Sequence, residues 1–301
     1  MKSIATLHPS TSGRGRLAQE RLHWAFELDT PCSWIESFTS QFLSVDMVIM
    51  TDHEDDFPRQ YSFSSPHLNG LNAAQATFRA KELLILFNGV MRVEDGLQFY
   101  DFTLHRGRNL ATRSPMIDRY QDVAPIPMFP DDVSELRYYR HHRQLNWTGK
   151  ELFVSRTDRY LRYIFRTLGR ENLTFVSLYK VLDTMVACIQ ANGSKSPKAE
   201  LATMGGKSVD DIEDFTYTAN WFDVAGDDAR HGLKIDFKPS KKRKAVTLGE
   251  AAEIILPIVR KFVQQRVYQK FEREWEAVLI DRADQADPVK EIAENGRSEA
   301  T

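Results

Sequence analysis

The hydrophobic pattern changes character about two fifths of the way along the chain. In the first 130 residues, HWAFELDT (23–30), VDMVIMT (45–51) and LQFYDFTLH (97–105) carry aromatic and β-branched residues with partial alternation. That pattern predicts half-buried strands. Between them AAQATFRAKELLILFNGV (73–90) has helical composition and predicts a helix capped at Asn88-Gly89. The segment DVAPIPMFPDD (122–132) holds three prolines and reads as a linker.

Beyond residue 131 the period becomes helical. ELFVSRTDRYLRYIFRTLG (151–169) is amphipathic and stops at Gly169. LTFVSLYKVLDTMVACIQ (173–190) predicts a second helix, which ends in the turn-forming ANGSKSP, and residues 209–221 predict a third. Thr247 and Glu250 form a capping box that opens a last helix running to about Ile280, which Pro257 is expected to kink or divide. The expected architecture is α+β: a strand-rich domain over 1–130 with no motif that names its ligand, a helical domain over 131–281, and a polar, disordered tail over 282–301.

Composition narrows the function classes. Of 301 residues, 42% are hydrophobic and 27% charged, which permits a sizeable core. Lys and Arg number 40 against 42 Asp and Glu, so any affinity for nucleic acid has to come from a local patch. Cys32 and Cys188 stand far apart in no metal-like spacing, which fits a reducing cytoplasm and neither a disulfide scaffold nor a structural zinc site. No run approaches membrane-spanning length and no signal-peptide core is present, so the expected location is cytoplasmic.

Five segments carry candidate chemistry. On the predicted helix 151–169, Arg156, Arg159, Arg162, Arg166 and Arg170 fall within one arc at about 100° per residue, with Tyr163 among them. Leu161, Ile164, Phe165 and Leu168 fall opposite. A guanidinium row with an aromatic in it suits phosphate contact and base stacking, as RNA binding needs; the alternative is a solvated face. The run KPSKKRK (238–244) suits phosphate or a solvated loop. TDHEDDFPRQ (51–60) clusters acids around His53, but in no calcium-loop spacing, and reads as a turn before Pro58. The adjacent His141 and His142 in RYYRHHRQLNW (137–147) point to different faces, so no metal site and no cofactor is expected there.

The fifth is TYTANWFDVAGDDARHG (216–232). Asn220 donates and accepts hydrogen bonds, Asp227 or Asp228 can cap a helix or orient a cation, Arg230 can grip a phosphate and His231 titrates near neutrality. Metal-independent phosphodiester cleavage calls for such a set, with His231 as acid or base and Arg230 stabilising the developing charge. The same residues also suit a loop tied down by its own polar groups.

The carboxy-terminal half resembles a group of bacterial proteins that share SLYKVLDTM (177–185), DFTYTAN (214–220), AGDDARHG (225–232) and TLGEAAEII (247–255). The arrangement is similar to the all-helical HEPN superfamily over roughly residues 151 to 280. The resemblance implies a metal-independent ribonuclease of a phage-defence or toxin-type system, with Arg230, His231, Asn220 and Asp228 as its catalytic set. Cleaving members separate their arginine and histidine by a few residues, whereas Arg230 and His231 are adjacent. Arg137 and His142 have that spacing but lie outside the matching helices. Two expectations result: an RNA-directed effector, or a non-catalytic sensor or interaction protein that binds nucleotide, RNA, a protein partner or a second copy of itself.

Overall fold

The computed structural model describes residues 22–29, 35–52, 60–99, 101–112, 114–115, 126–129, 145–170, 172–221, 225, 229–230 and 242–283. It is α+β, as the pattern predicts. Strands β1 (Trp24–Asp29), β2 (Val48–Asp52), β3 (Gln60–Ser64) and β4 (Thr103–Asn109) form one antiparallel sheet in the order β2-β3-β1-β4. Phe63 of β3 stands opposite both Ile49 and Phe26, which gives the sheet an apolar face. β3 was not legible as a strand, because QYSFS offers only two large apolar positions among polar ones.

Eight helices are described: α1 (Ile35–Gln41), α2 (Ala73–Asp95), α3 (Trp147–Ser155), α4 (Arg159–Arg170), α5 (Phe175–Ala191), α6 (Pro197–Gly205), α7 (Val209–Asn220) and α8 (Leu248–Ala283). α2 opens with a reciprocal Asn72/Gln75 cap and is buried nearly all round, from Ala76 and Ala80 through Leu83, Leu86, Phe87 and Val90. It does not stop at Asn88-Gly89. Asn88 points inward and uses its side-chain amide to pair with both the N–H and the carbonyl of Phe102, at 3.2 and 2.9 Å. Gly89 instead lets α2 meet α4: a Cβ there would lie 1.8 Å from the Phe165 carbonyl oxygen, and one on Gly169 would lie 1.9 Å from that of Ile85. The two glycines are the reason the helices cross so closely.

The predicted helix over 151–169 is two helices. α3 ends at Ser155, and Asp158 then caps α4, its Oδ1 accepting from the amides of Tyr160 (2.9 Å) and Leu161 (3.2 Å). Asp158 is buried and also meets Arg266 (2.5 Å) and Lys270 (3.0 Å) of α8. Burial works to raise its pKa, but Lys270, Arg266 and the Leu161 amide outweigh that and leave it lowered. α8 begins at the predicted Thr247/Glu250 box and runs through Pro257 undivided, with Ala251, Ala252, Ile255, Ile258 and Val259 buried around it. The loss of one backbone bond at Pro257 is outweighed by that packing.

One hydrophobic cluster takes in Phe26 and Phe63 of the sheet, α2, and every helix from α3 to α8. Residues on both sides of the expected 122–132 linker therefore share a core, and Phe129 of that segment belongs to it. Most of the linker, and the tail from 284, lie outside the described residues.

Candidate nucleic-acid interface

α4 presents its apolar side (Leu161, Ile164, Phe165, Leu168) to the core and its arginines to solvent. Packed against it is α5, the next helix in the chain, opened by a Thr174/Ser177 capping box. Between them lies a groove of about 300 Å³, lined by Arg159, Arg162, Tyr163, Arg166, Thr167 and Arg170 from α4 and by Val176, Ser177 and Lys180 from α5. Four of the five predicted arginines and the predicted tyrosine are thus brought together. Lys180 joins them from a helix that the periodicity of α4 alone could not place.

The groove cations differ in how they are held. Arg166 and Arg170 both donate to Glu82 of α2, the latter at 3.4 Å. Arg162 donates to the carbonyl of Arg156 at 3.1 Å, and Arg159 donates to the Tyr160 hydroxyl at 3.1 Å. Among the described residues Glu82 is the one carboxylate that pairs with the row, and Arg159 also feels the charge of its neighbour Asp158. Tyr163 is 48% exposed and sits between Arg159 and Arg166 on the helix surface. A row so arranged can bind phosphate oxygens through its free donors and stack an aromatic ring on Tyr163.

Arg156 does not belong to the row. It caps the end of α3 rather than lying on α4, and its side chain is buried. Its guanidinium lies 3.3 Å from Asp46 and over the rings of Phe129 and Phe153. Asp46 in turn contacts His67 Nε2 at 2.7 Å, and Arg79 donates to the His67 carbonyl at 2.7 Å. The break at Thr157-Asp158 rotated Arg156 out of the arc that an unbroken helix would have given it.

Of the second candidate set, Arg230 and Asn220 are described, while His231 and Asp228 lie outside the described residues. The Arg230 amide donates to the Ala219 carbonyl at 2.7 Å, which holds Arg230 at the end of α7 beside Asn220. The Arg230 guanidinium stacks over Tyr179 at 4.3 Å and stands 3.8 Å from Asp183. Burial raises the pKa of that aspartate, against the pull of Arg230 and Lys198. The Asn220 Oδ1 is buried with no partner among the described residues. Arg230 is not a groove residue, yet α5 serves both places: Val176, Lys180 and Asp183 fall within about 60° of one another at helical spacing.

The remaining candidates divide similarly. Arg243 pairs with Asp210 (2.9 Å) and Lys244 with Glu250 (3.3 Å), so the end of the KPSKKRK run is tied to acids of α7 and α8. Residues 53–59 and 130–144, which hold His53, Arg137, His141 and His142, lie outside the described residues. Among the described residues no group of three or more His, Cys, Asp or Glu could hold a metal ion, and no helix is long and apolar enough to cross a membrane. Comparison of the chain with protein-family models, with curated proteins and with solved structures finds no match.

Proposed function

We propose that this protein is an RNA-directed effector that grips RNA in the groove between α4 and α5. What supports this reading is the convergence of four arginines, Lys180 and a half-exposed Tyr163 on one groove in which, among the described residues, Glu82 alone forms ion pairs with the row. From Arg159 to Arg170 the row runs about 16 Å along the helix axis, in steps of one turn. That is an arrangement for successive phosphates of a single strand, with Tyr163 offering a face to a base. Such contacts hold the backbone and carry no sequence preference. With a formal net charge of −2, the attraction has to be local to this groove.

The test is a fluorescence-anisotropy titration of a short single-stranded oligoribonucleotide at low salt. Arg162→Ala and Arg166→Ala should each weaken binding about tenfold, the effect of losing a charge-assisted hydrogen bond. Equal affinity of wild type and both variants would remove the groove from the reading.

In the cleaving form of the proposal, Arg230 and His231 act on the phosphodiester while Asn220 and Asp228 position them, in a phage-defence or toxin-type system. A second, non-catalytic reading as a sensor or interaction protein is favoured by the contacts of Arg230, whose guanidinium is engaged by Tyr179 and Asp183. Incubating the bound RNA in excess EDTA and resolving it on a denaturing gel separates the two. Cleavage abolished by His231→Ala supports the first, and intact RNA supports the second.

A further inference from the structure

Where the end of α2 meets α3 and α8, three buried polar groups stand together. Glu151 of α3 is fully buried, and neither of its carboxyl oxygens accepts a hydrogen bond from a described donor. The Glu94 carboxyl, in the last turn of α2, lies within hydrogen-bond reach of it and has a buried Oε1 that is likewise unpartnered. The indole Nε1 of Trp147, one turn before Glu151, is the third; it stands close enough to favour the charged form of Glu151, a pull that burial and Glu94 outweigh.

Among the described residues no cation forms an ion pair with either carboxyl. From α8, Arg260 attracts Glu151, but its Nε donates to the Val93 carbonyl at 3.0 Å and its charge also faces Asp95. The residues that α4 buries in this core, Leu161, Ile164, Phe165 and Leu168, are apolar. Two carboxylates in contact inside a protein cannot both stay ionised without a cation between them. A single proton between the two oxygens removes the repulsion and turns the contact into a short, strong hydrogen bond.

We propose that Glu94 and Glu151 share one proton and form an alkali-sensitive latch that joins α2 to α3. Val93, Asp95 and Arg260 form one wall of a cavity of about 840 Å³ between the end of α2, the end of α6 and the middle of α8. When the proton leaves, the latch becomes a repulsive pair behind that wall, so the α2–α3 contact loosens and the cavity gains solvent access. The inference is independent of whether the groove takes RNA.

Thermal unfolding followed across pH 5 to 9, together with tryptophan emission, tests it. The wild type should lose stability as pH rises. Glu151→Gln, whose amide can donate to Glu94, should flatten that loss, and Glu94→Gln should shift it to lower pH. Emission should titrate in the same window in the wild type and lose that titration in Trp147→Phe. The same pH slope in the wild type and both Gln variants would overturn the latch. So would a rise in melting temperature with calcium or magnesium that Glu151→Gln abolishes, since a cation and not a proton would then sit between the acids. If Glu151→Gln does not fold, Glu94→Gln and the Trp147 signal decide.

Discussion

Gly89 of α2 lies against the backbone of Phe165 on α4, with room for a hydrogen and not for a methyl group. In an exposed helix Gly→Ala stabilises by about 1 kcal/mol. Here the sign reverses, because the atoms in the way are backbone and cannot rotate aside. Gly89→Ala and Gly169→Ala should each destabilise by about 3 kcal/mol or more in urea unfolding. A stabilised variant would mean that the helices do not cross at these positions.

Binding at the groove should be strongly salt-dependent. If all five groove cations neutralise phosphates of a single strand, log Kd against log salt should have a slope of magnitude about 3.5, and each Arg→Ala variant should lower it by about 0.7. A slope near zero would show that RNA is held elsewhere or by other forces.

Asp158 holds the start of α4 and receives Arg266 and Lys270, so its lowered pKa makes it a source of acid lability. Its contribution is complete above the ordinary carboxyl value and is lost as pH falls through its depressed folded value. Asp158→Asn should cost about 3 kcal/mol at neutral pH and flatten the acid limb of stability against pH. This is opposite in direction to the Glu151 effect, so the two acids bracket a pH of maximum stability. Chemical denaturation at a series of pH values would show both limbs.

Arg156 should behave as a core residue and not as an RNA contact. Arg156→Ala leaves Asp46 buried with one fewer partner and should lower stability by about 3 kcal/mol. The affinity of the folded fraction for RNA should match that of the wild type. A clean loss of affinity with unchanged stability would return Arg156 to the groove.

The sequence pattern located most elements because their apolar positions recur at one period: α5, α7 and the opening of α8 are examples. It failed where a residue type has two uses. Asn88-Gly89 resembles a helix end, yet in this fold the amide pairs with Phe102 and the glycine admits a neighbouring helix, uses that depend on residues far along the chain. ELFVSRTDRYLRYIF reads as continuous because Asp158 is one polar residue in a charged stretch; its role as a cap is plain only once Arg266 and Lys270 are seen to meet it. α6 was hidden behind ANGSKSP, whose turn residues mark its start and not a long loop. The arginine row was legible from spacing, whereas Lys180 and Glu82 were not, since no local period relates them to α4.

Glu82 ties the inheritance of the two halves of the chain together. It lies in the amino-terminal half of the chain, yet it sets how Arg166 and Arg170 stand in a groove built by the other half. An exchange of halves between diverged copies of this protein would leave those arginines without their carboxylate, or that carboxylate without its arginines. Changes at 82 and in the arginine row should therefore arrive together or not at all.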